Sequence, residues 1–458
     1  MATSATAQAR YHESVRQLQQ QYQAVPVGQP VRLAKRTSNA FRTRSGSPSA
    51  LDVSEFSGVL AIDEERRTAD VLGMTTYEQL VAATLPHGLM PLVVPELKTI
   101  TIGGAVTGLG IESSSFRNGC PHESVLEMDV LVGDGRVVTA APDGPHADLF
   151  FGFPNSYGTL GYALRLRIEL EPVRPFVALR HSRFGETSQY FAALAEVVSA
   201  RVLDGEPVDF VDGVFFGPDE MYLTTVRFVD DAPYVSDYGG RQIYYRSLQQ
   251  RTRDFLTVND YLWRWDTDWF WCSRALGVQH PLVRPLVPRS VKRSDRYSSV
   301  VGFERRHNLV GRFQSLLGRP EREVVVQDVE VPVDRAAQFI DSFTREVGIS
   351  PVWICPLRQR DATRTWELYV LDPRTTYVNF GFWSSVERRA GESDGDRNRM
   401  IERLVADLGG RKSLYSTSFY DRDEFWATYN GPTYQVLKKE YDADGRLLDL
   451  YDKCVHAR

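Results

Sequence analysis

The residues from Thr101 to Ser115 are the ones best suited by type and spacing to hold a large polar ligand. Gly103, Gly104, Gly108 and Gly110 remove side chains where backbone must approach a bulky partner, and Thr101, Thr107, Ser113, Ser114 and Ser115 interleave hydroxyl donors. Such a stretch suits a pyrophosphate or the edge of a cofactor ring; the alternative is a Gly/Ser-rich turn between strands. Neither standard phosphate fingerprint is present, because there is no Walker lysine pattern and Gly103 to Gly110 does not open an ordinary dinucleotide-binding helix. Proton donors are sought nearby and in the apolar text downstream. Glu112 lies inside the loop, Asp328 on a predicted strand, and Tyr261, Asp266 and Asp268 in a stretch that also holds Trp263, Trp265, Trp269 and Trp271. For Glu112 the competing role is satisfying turn amides; Asp328 and Tyr261 have structural alternatives of the same kind. His122, after a proline, reads as exposed, and Cys355 as buried filler.

The elements that must position these groups alternate between periods. Period-two apolar patterning predicts strands at 58–63, 68–72, 125–132, 163–170, 220–227, 323–331, 352–357, 365–371 and 377–382. Helices are predicted over 1–24, 76–84, 189–200, 333–347 and 423–440. The mixture reads as α+β. Proline and glycine punctuation divides it into a polar leader (1–30), a first domain (31–175), a second domain (176–410) and a C-terminal segment (411–458).

Composition excludes several function classes. A chain of 458 residues exceeds what one core usually organises, so two domains are expected. Its net charge of −5 offers no footprint for nucleic acid. Cys120, Cys272, Cys355 and Cys454 show neither zinc-ligand spacing nor a disulfide framework, so no metal site and a reducing cytoplasm are expected. No segment approaches the roughly 18 apolar residues of a transmembrane helix. Peripheral contact through an exposed apolar patch stays open.

The residues after the glycine stretch raise its specificity. Asp129 to Val138 is a strand with a Gly-Asp-Gly hairpin, Asp148-Leu-Phe-Phe151 comes next, and then Tyr157-Gly-Thr-Leu-Gly-Tyr-Ala-Leu164. This ordered set resembles the PCMH-type FAD-binding domain of the vanillyl-alcohol-oxidase superfamily. Gly-Ile-Glu-Ser-Ser-Ser at 110–115 and Gly-Thr-Leu-Gly at 158–161 look like the Δ24-sterol reductases. Val325-Val-Gln-Asp328, Pro351-Val-Trp-Ile-Cys-Pro356, Arg422-Asp-Glu-Phe-Trp426 and Tyr451-Asp-Lys-Cys454 extend that likeness over about 35–458.

The resemblance implies a two-subdomain FAD-binding domain with an antiparallel-sheet cap. It implies FAD held non-covalently, because the histidine to which related oxidases attach flavin is not found in Thr107-Gly-Leu-Gly-Ile111. The implied cofactor-binding residues are Thr37, Ser38 and Asn39 in a first phosphate loop, Thr101, Gly103, Gly104, Thr107, Gly108, Gly110, Ile111, Glu112, Ser113 and Ser114 in the second, and Gly158, Thr159 and Gly161. The animal members of this family carry an N-terminal membrane segment that this sequence does not show. Soluble actinobacterial relatives reduce the 10-methylene group of a fatty acyl chain to a methyl branch, which makes that reduction the leading expectation, with NADPH as donor and Glu112, Asp328 or Tyr261 supplying the proton. A Δ24-type sterol reductase, an oxidase or dehydrogenase of an alcohol, polyol or sugar lactone, and a flavin-bound partner of a lipid methyltransferase are the alternatives.

Overall fold

The computed structural model describes residues 2–35, 50–307 and 320–456. Two antiparallel sheets organise it. The first has six strands, in the order Val59–Asp63, Thr68–Leu72, Tyr162–Pro172, Val125–Leu131, Val137–Ala140, with Leu89–Pro91 paired to Tyr162–Pro172. The second has eight, in the order Arg253–Thr257, Phe176–Phe184, Glu220–Val229, Phe210–Gly217, Val352–Leu357, Tyr377–Glu387, Arg322–Pro332, Arg411–Lys412. The fold is α+β, with its largest sheet antiparallel.

Alternation decides which face of the second sheet meets what. Val211, Phe215, Val325, Val329, Val331, Val352, Ile354, Val378, Phe380 and Phe382 point to one face, where the helices Thr187–Ala200, Ala336–Glu346 and Asp396–Asp407 cover them. Phe210, Val214, Trp353, Cys355, Leu357 and Tyr377 occupy the opposite face and share a core with the first sheet's Val71, Met128, Val130 and Leu166. The inner face of the large sheet is therefore the wall that closes over the glycine stretch.

Several elements differ from the sequence expectation. The helix Ala2–Ala24 is not a detached leader: Tyr11, Leu18, Tyr22 and Val25 bury against Phe56, Leu72, Leu131 and Leu164, and Tyr11 donates to Asp129 Oδ2 at 2.7 Å. Residues 365–371 form no strand. Asn155 Nδ2 donates to Leu368 O and Glu367 N to Phe151 O, so this backbone is satisfied by a loop of the first domain while Trp366, Leu368 and Tyr369 bury singly. The helix expected over 423–440 is two, Arg422–Thr428 and Gly431–Tyr441, parted at Asn430 and the Gly431-Pro432 start. The second of these returns to the first sheet's side, where Lys438 Nζ donates to Thr159 O at 2.8 Å.

Docking of the N-terminal helix rests on few side chains, so Leu18→Ala should cost about 2–4 kcal/mol of unfolding free energy. Denaturant titration measures it. A loss below about 0.5 kcal/mol would show that the helix contributes little to the first domain's stability.

Candidate active site

The glycine stretch is a seven-residue helix, Ile102–Gly108, rather than a loop. Thr101 caps it by accepting from Gly104 N at 3.2 Å, and Lys35 Nζ donates to the same hydroxyl at 3.0 Å. A cleft of about 460 Å³ opens beside it, lined by Lys35, Gly103, Gly104, Thr107, Gly158 and Gly161 among others, with Lys453 at its rim. Lysines beside bare glycine backbone at a capped helix start suit a phosphate-bearing ligand. Two of the glycines answer first to the chain itself. A Cβ on Gly103 would stand 2.7 Å from Gly73 O, and one on Gly161, whose φ is +153°, would stand 2.8 Å from Leu131 O.

The other expected binding residues are not part of this lining. Thr159 Oγ1 donates to Ser156 O at 2.7 Å and Ser114 Oγ to Leu92 O at 2.8 Å, both fully buried. Gly108, Gly110 and Ile111 carry the chain from the helix to a second, drier cluster around Glu112. Thr37, Ser38 and Asn39 lie outside the described residues.

That second cluster joins the two sheets. Arg264, wholly buried, donates through Nη2 to Asp212 Oδ2 at 2.7 Å and reaches Glu112 Oε1 at 3.4 Å, while its guanidinium lies 4.0 Å from the Tyr261 ring centre. Trp265 Nε1 also donates to Asp212 Oδ2, at 3.2 Å. Ser113 Oγ sits 2.9 Å from Tyr261 OH and donates to Glu112 Oε1 at 2.6 Å; Ser113 N donates to the same oxygen at 2.7 Å. Glu112 thus does satisfy a turn amide, but with one oxygen only. Its Oε2 and the Oε1 of buried Glu96 have no hydrogen-bond partner among the described residues, and each of the two carboxyls bears on the other's titration.

Electrostatics follow from this closed arrangement. One guanidinium faces three carboxyls away from water, and Asp212 takes its shortest bond. Desolvation lifts the Glu96 carboxyl well above the ordinary range, with the neighbouring Glu112 adding to the rise. Burial raises Glu112 as well, against the pull of Arg264. The result is a carboxyl pair whose protonated form is favoured over that of a free carboxyl. Burial also pushes the Tyr261 phenol far upward, which keeps it neutral.

Asp328 is not brought to this cluster. It pairs across the sheet with Gly381, in a row that continues through Trp353, while Glu330, Asn379 and Cys355 form the adjacent row on the same inner face. With strands about 4.8 Å apart, Glu330 stands roughly 14 Å from Asp212, which lies one residue beyond the Gly213–Ile354 pair. Burial raises the Asp328 carboxyl, with Glu330 contributing. Several polar atoms of this face have no partner among the described residues: Asp328 Oδ1, Asn379 Nδ2 and Oδ1, and Trp353 Nε1. Buried unpaired groups are costly, and their gathering on one wall marks it as a surface for a ligand.

The tryptophan-rich stretch supplies the facing side. Trp269 and Phe270 both adopt left-handed backbone, and the turn sets Phe270 5.0 Å from Trp265, 4.3 Å from Trp383 and 5.5 Å from Trp353 between ring centres. Asp266 is tied to Ser294 and Lys98 N, and Asp268 to Arg284, so neither points to a ligand. His122 is buried rather than exposed, edge-on to Trp366 at 4.4 Å, and desolvation lowers it to about 3. Sequence reasoning missed Glu96, Asp212, Arg264 as the organising cation, Glu330 and Asn379. Asp212 has a visible signal, an acid inside the apolar run Phe210–Gly217.

Comparison with known proteins agrees with this architecture. Residues 10–141 match the family model described as FAD binding domain. The protein is an FAD-dependent oxidoreductase with a PCMH-type FAD-binding domain. Across most of its length it is similar to Delta(24)-sterol reductases: 24% identical over 465 residues to that of Pisum sativum (89% of this chain, 76% of the relative), and 24% over 417 residues to that of Homo sapiens (87% and 77%). Cytokinin dehydrogenase 10 of Oryza sativa subsp. japonica is 30% identical over 152 residues, 33% of this chain and 27% of that protein. Among the described residues no helix is long and apolar enough to cross a membrane.

Glu330 provides a test of the wall's dryness. Burial lifts its carboxyl to about 7, against hydrogen bonds from Tyr369 OH and from Ser413 Oγ at 2.9 Å. The folded chain then keeps a proton that the unfolded chain releases above about 4.5. The stability this provides is complete below that pH and lost as pH rises through about 7. Urea unfolding from pH 4.5 to 7.5 should show that decline, and Glu330→Gln should flatten it; an unchanged slope would contradict the assignment.

Proposed function

We propose that this protein reduces an isolated carbon–carbon double bond in a lipid, converting the 10-methylene group of a fatty acyl chain to a 10-methyl group. FAD would lie non-covalently along the cleft, held by Lys35, Gly103, Gly104, Thr107, Gly158 and Gly161, with Thr37 to Asn39 completing the phosphate loop. Bound FAD, reduced by NADPH, supplies the hydride. What carries the reading is the Glu96–Glu112 pair, two buried carboxyls that desolvation pushes toward their protonated form.

The chemistry demands such a pair. No carbonyl polarises an isolated alkene, so a proton must be delivered to the less substituted carbon as positive charge forms on the more substituted one. A carboxyl whose protonated form is favoured by desolvation can do this, and a second acid beside it can resupply the proton. Glu112 is the proposed donor and Glu96 its reserve. Ser113 holds Glu112 Oε1 through its amide and hydroxyl, Tyr261 in turn pairs with the Ser113 hydroxyl, and Arg264 limits the charge left behind. The faces of Trp265, Phe270, Trp271, Trp353 and Trp383 can stabilise the developing cation and exclude water. Asp328, three strands away, is the alternative acid.

A sterol side-chain Δ24 bond is the second reading, favoured by the names of the full-length relatives. It also yields a tertiary cation on protonation. An alcohol, polyol or sugar-lactone oxidase would not need the carboxyl pair.

Anaerobic titration separates these readings. NADPH should bleach the flavin, and a 10-methylene lipid should restore its colour faster than a Δ24 sterol does. Glu112→Gln should leave bleaching intact and slow the recovery about 10²–10⁴-fold, whereas Asp328→Asn should slow it less than about tenfold. Bleaching by an alcohol or lactone, with colour restored by oxygen but by neither alkene, would overturn the proposal.

A further inference from the structure

The segment after the tryptophan stretch is turned inside out. Arg284 is buried, donating to both Asp268 oxygens at 2.6 and 2.9 Å and to the carbonyls of Tyr238 and Gln242. Lys292 Nζ likewise turns inward, to Gly240 O at 2.9 Å. The apolar neighbours are outside: Leu282 is 77% and Leu286 80% exposed, with Val283 and Val291 beside them. A solvent-facing loop normally does the reverse, and stapling a cation inward to present leucines outward is costly without an apolar partner.

The surrounding charge indicates which partner. Between Cys272 and Val300 the chain carries six arginine or lysine residues against a single aspartate, in a protein whose net charge is −5. Arg289 pairs with Asp237 and Arg293 with Glu78, while Arg274 and Arg296 are exposed at the flanks, Arg296 standing 3.9 Å from Asp295. Three prolines, Pro281, Pro285 and Pro288, hold the segment in short turns rather than a helix. We propose that residues 280–291 are a docking face for an anionic phospholipid bilayer, with Leu282 and Leu286 inserted below the headgroups and the flanking arginines at headgroup level. Gln279, next to this face, donates to Trp271 O at 3.3 Å, and Trp271 packs against Trp383 at 5.4 Å, which links the face to the aromatic wall of the candidate active site.

Co-sedimentation of the full chain with vesicles tests this. The protein should pellet with phosphatidylcholine vesicles containing phosphatidylglycerol and much less with phosphatidylcholine alone, and added salt should weaken the binding. Leu282→Asp with Leu286→Asp should cut the bound fraction about tenfold or more while flavin content and thermal transition stay unchanged. Val436→Asp, exposed on a C-terminal helix, should bind like the parent. The proposal is overturned if the parent chain ignores both vesicle types, if the double variant pellets equally, or if sedimentation equilibrium shows a dimer that the double substitution dissolves. None of these outcomes bears on the reaction, which is assayed with detergent-dispersed lipid.

Discussion

A single buried cation, Arg264, is the constraint on which the rest of the site depends. Taking a guanidinium out of water costs several kcal/mol, so it must be met by charge and hydrogen bonds where it lies. It is met from two directions: Asp212 on the large sheet and Glu112 on the segment after the glycine helix. That joint fixes how the large sheet sits over the first domain, and Val211 N donating to Ser113 O at 2.8 Å reinforces it through backbone. Asp212 takes the shortest bond, Glu112 a longer one, and desolvation pushes both Glu112 and the neighbouring Glu96 toward their protonated forms.

The large sheet separates two tasks by alternation alone. Its outer face is a conventional apolar seam under three helices. Its inner face interrupts the apolar pattern with Asp212, Asp328, Glu330 and Asn379, and leaves Asp328 Oδ1 and both polar atoms of the Asn379 amide without a partner among the described residues. A protein spends stability on such groups where function needs them. Aromatic rings fill the remaining space, brought there by left-handed backbone at Trp269 and Phe270 that the surrounding packing must hold in place.

Much of the fold was legible because periodicity survives burial. The strands at 68–72, 125–131, 220–229, 322–332 and 352–357 and the capped helix Tyr77–Thr84 follow their patterns closely. Residues 365–371 misled because an apolar run with β-forming side chains is equally compatible with a loop whose residues bury one at a time. Glu112 and Tyr261 were visible as candidates, and the structure joins them through Ser113. Their partners were not visible. Alternation says which residues share a face, but not which strands lie adjacent, so nothing in the sequence links Asp212 to Arg264 or Glu330 to Asn379. Glu96, next to a proline and before the glycine helix, carries no pattern that foretells its burial. Gly103 has a second task that the sequence does not show: it accommodates Gly73 and Ala163, a contact that only the tertiary structure reveals.

The proposed reaction turns on a protein-held proton that is delivered to an isolated alkene together with hydride transfer. A single turnover of the anaerobically reduced protein with a 10-methylene lipid in deuterium oxide tests it directly, with the product read by mass spectrometry. One solvent-derived deuteron is expected on the new methyl carbon, with its formation matching the return of flavin colour. Product lacking that deuteron, or colour returning only when oxygen is admitted, would contradict it.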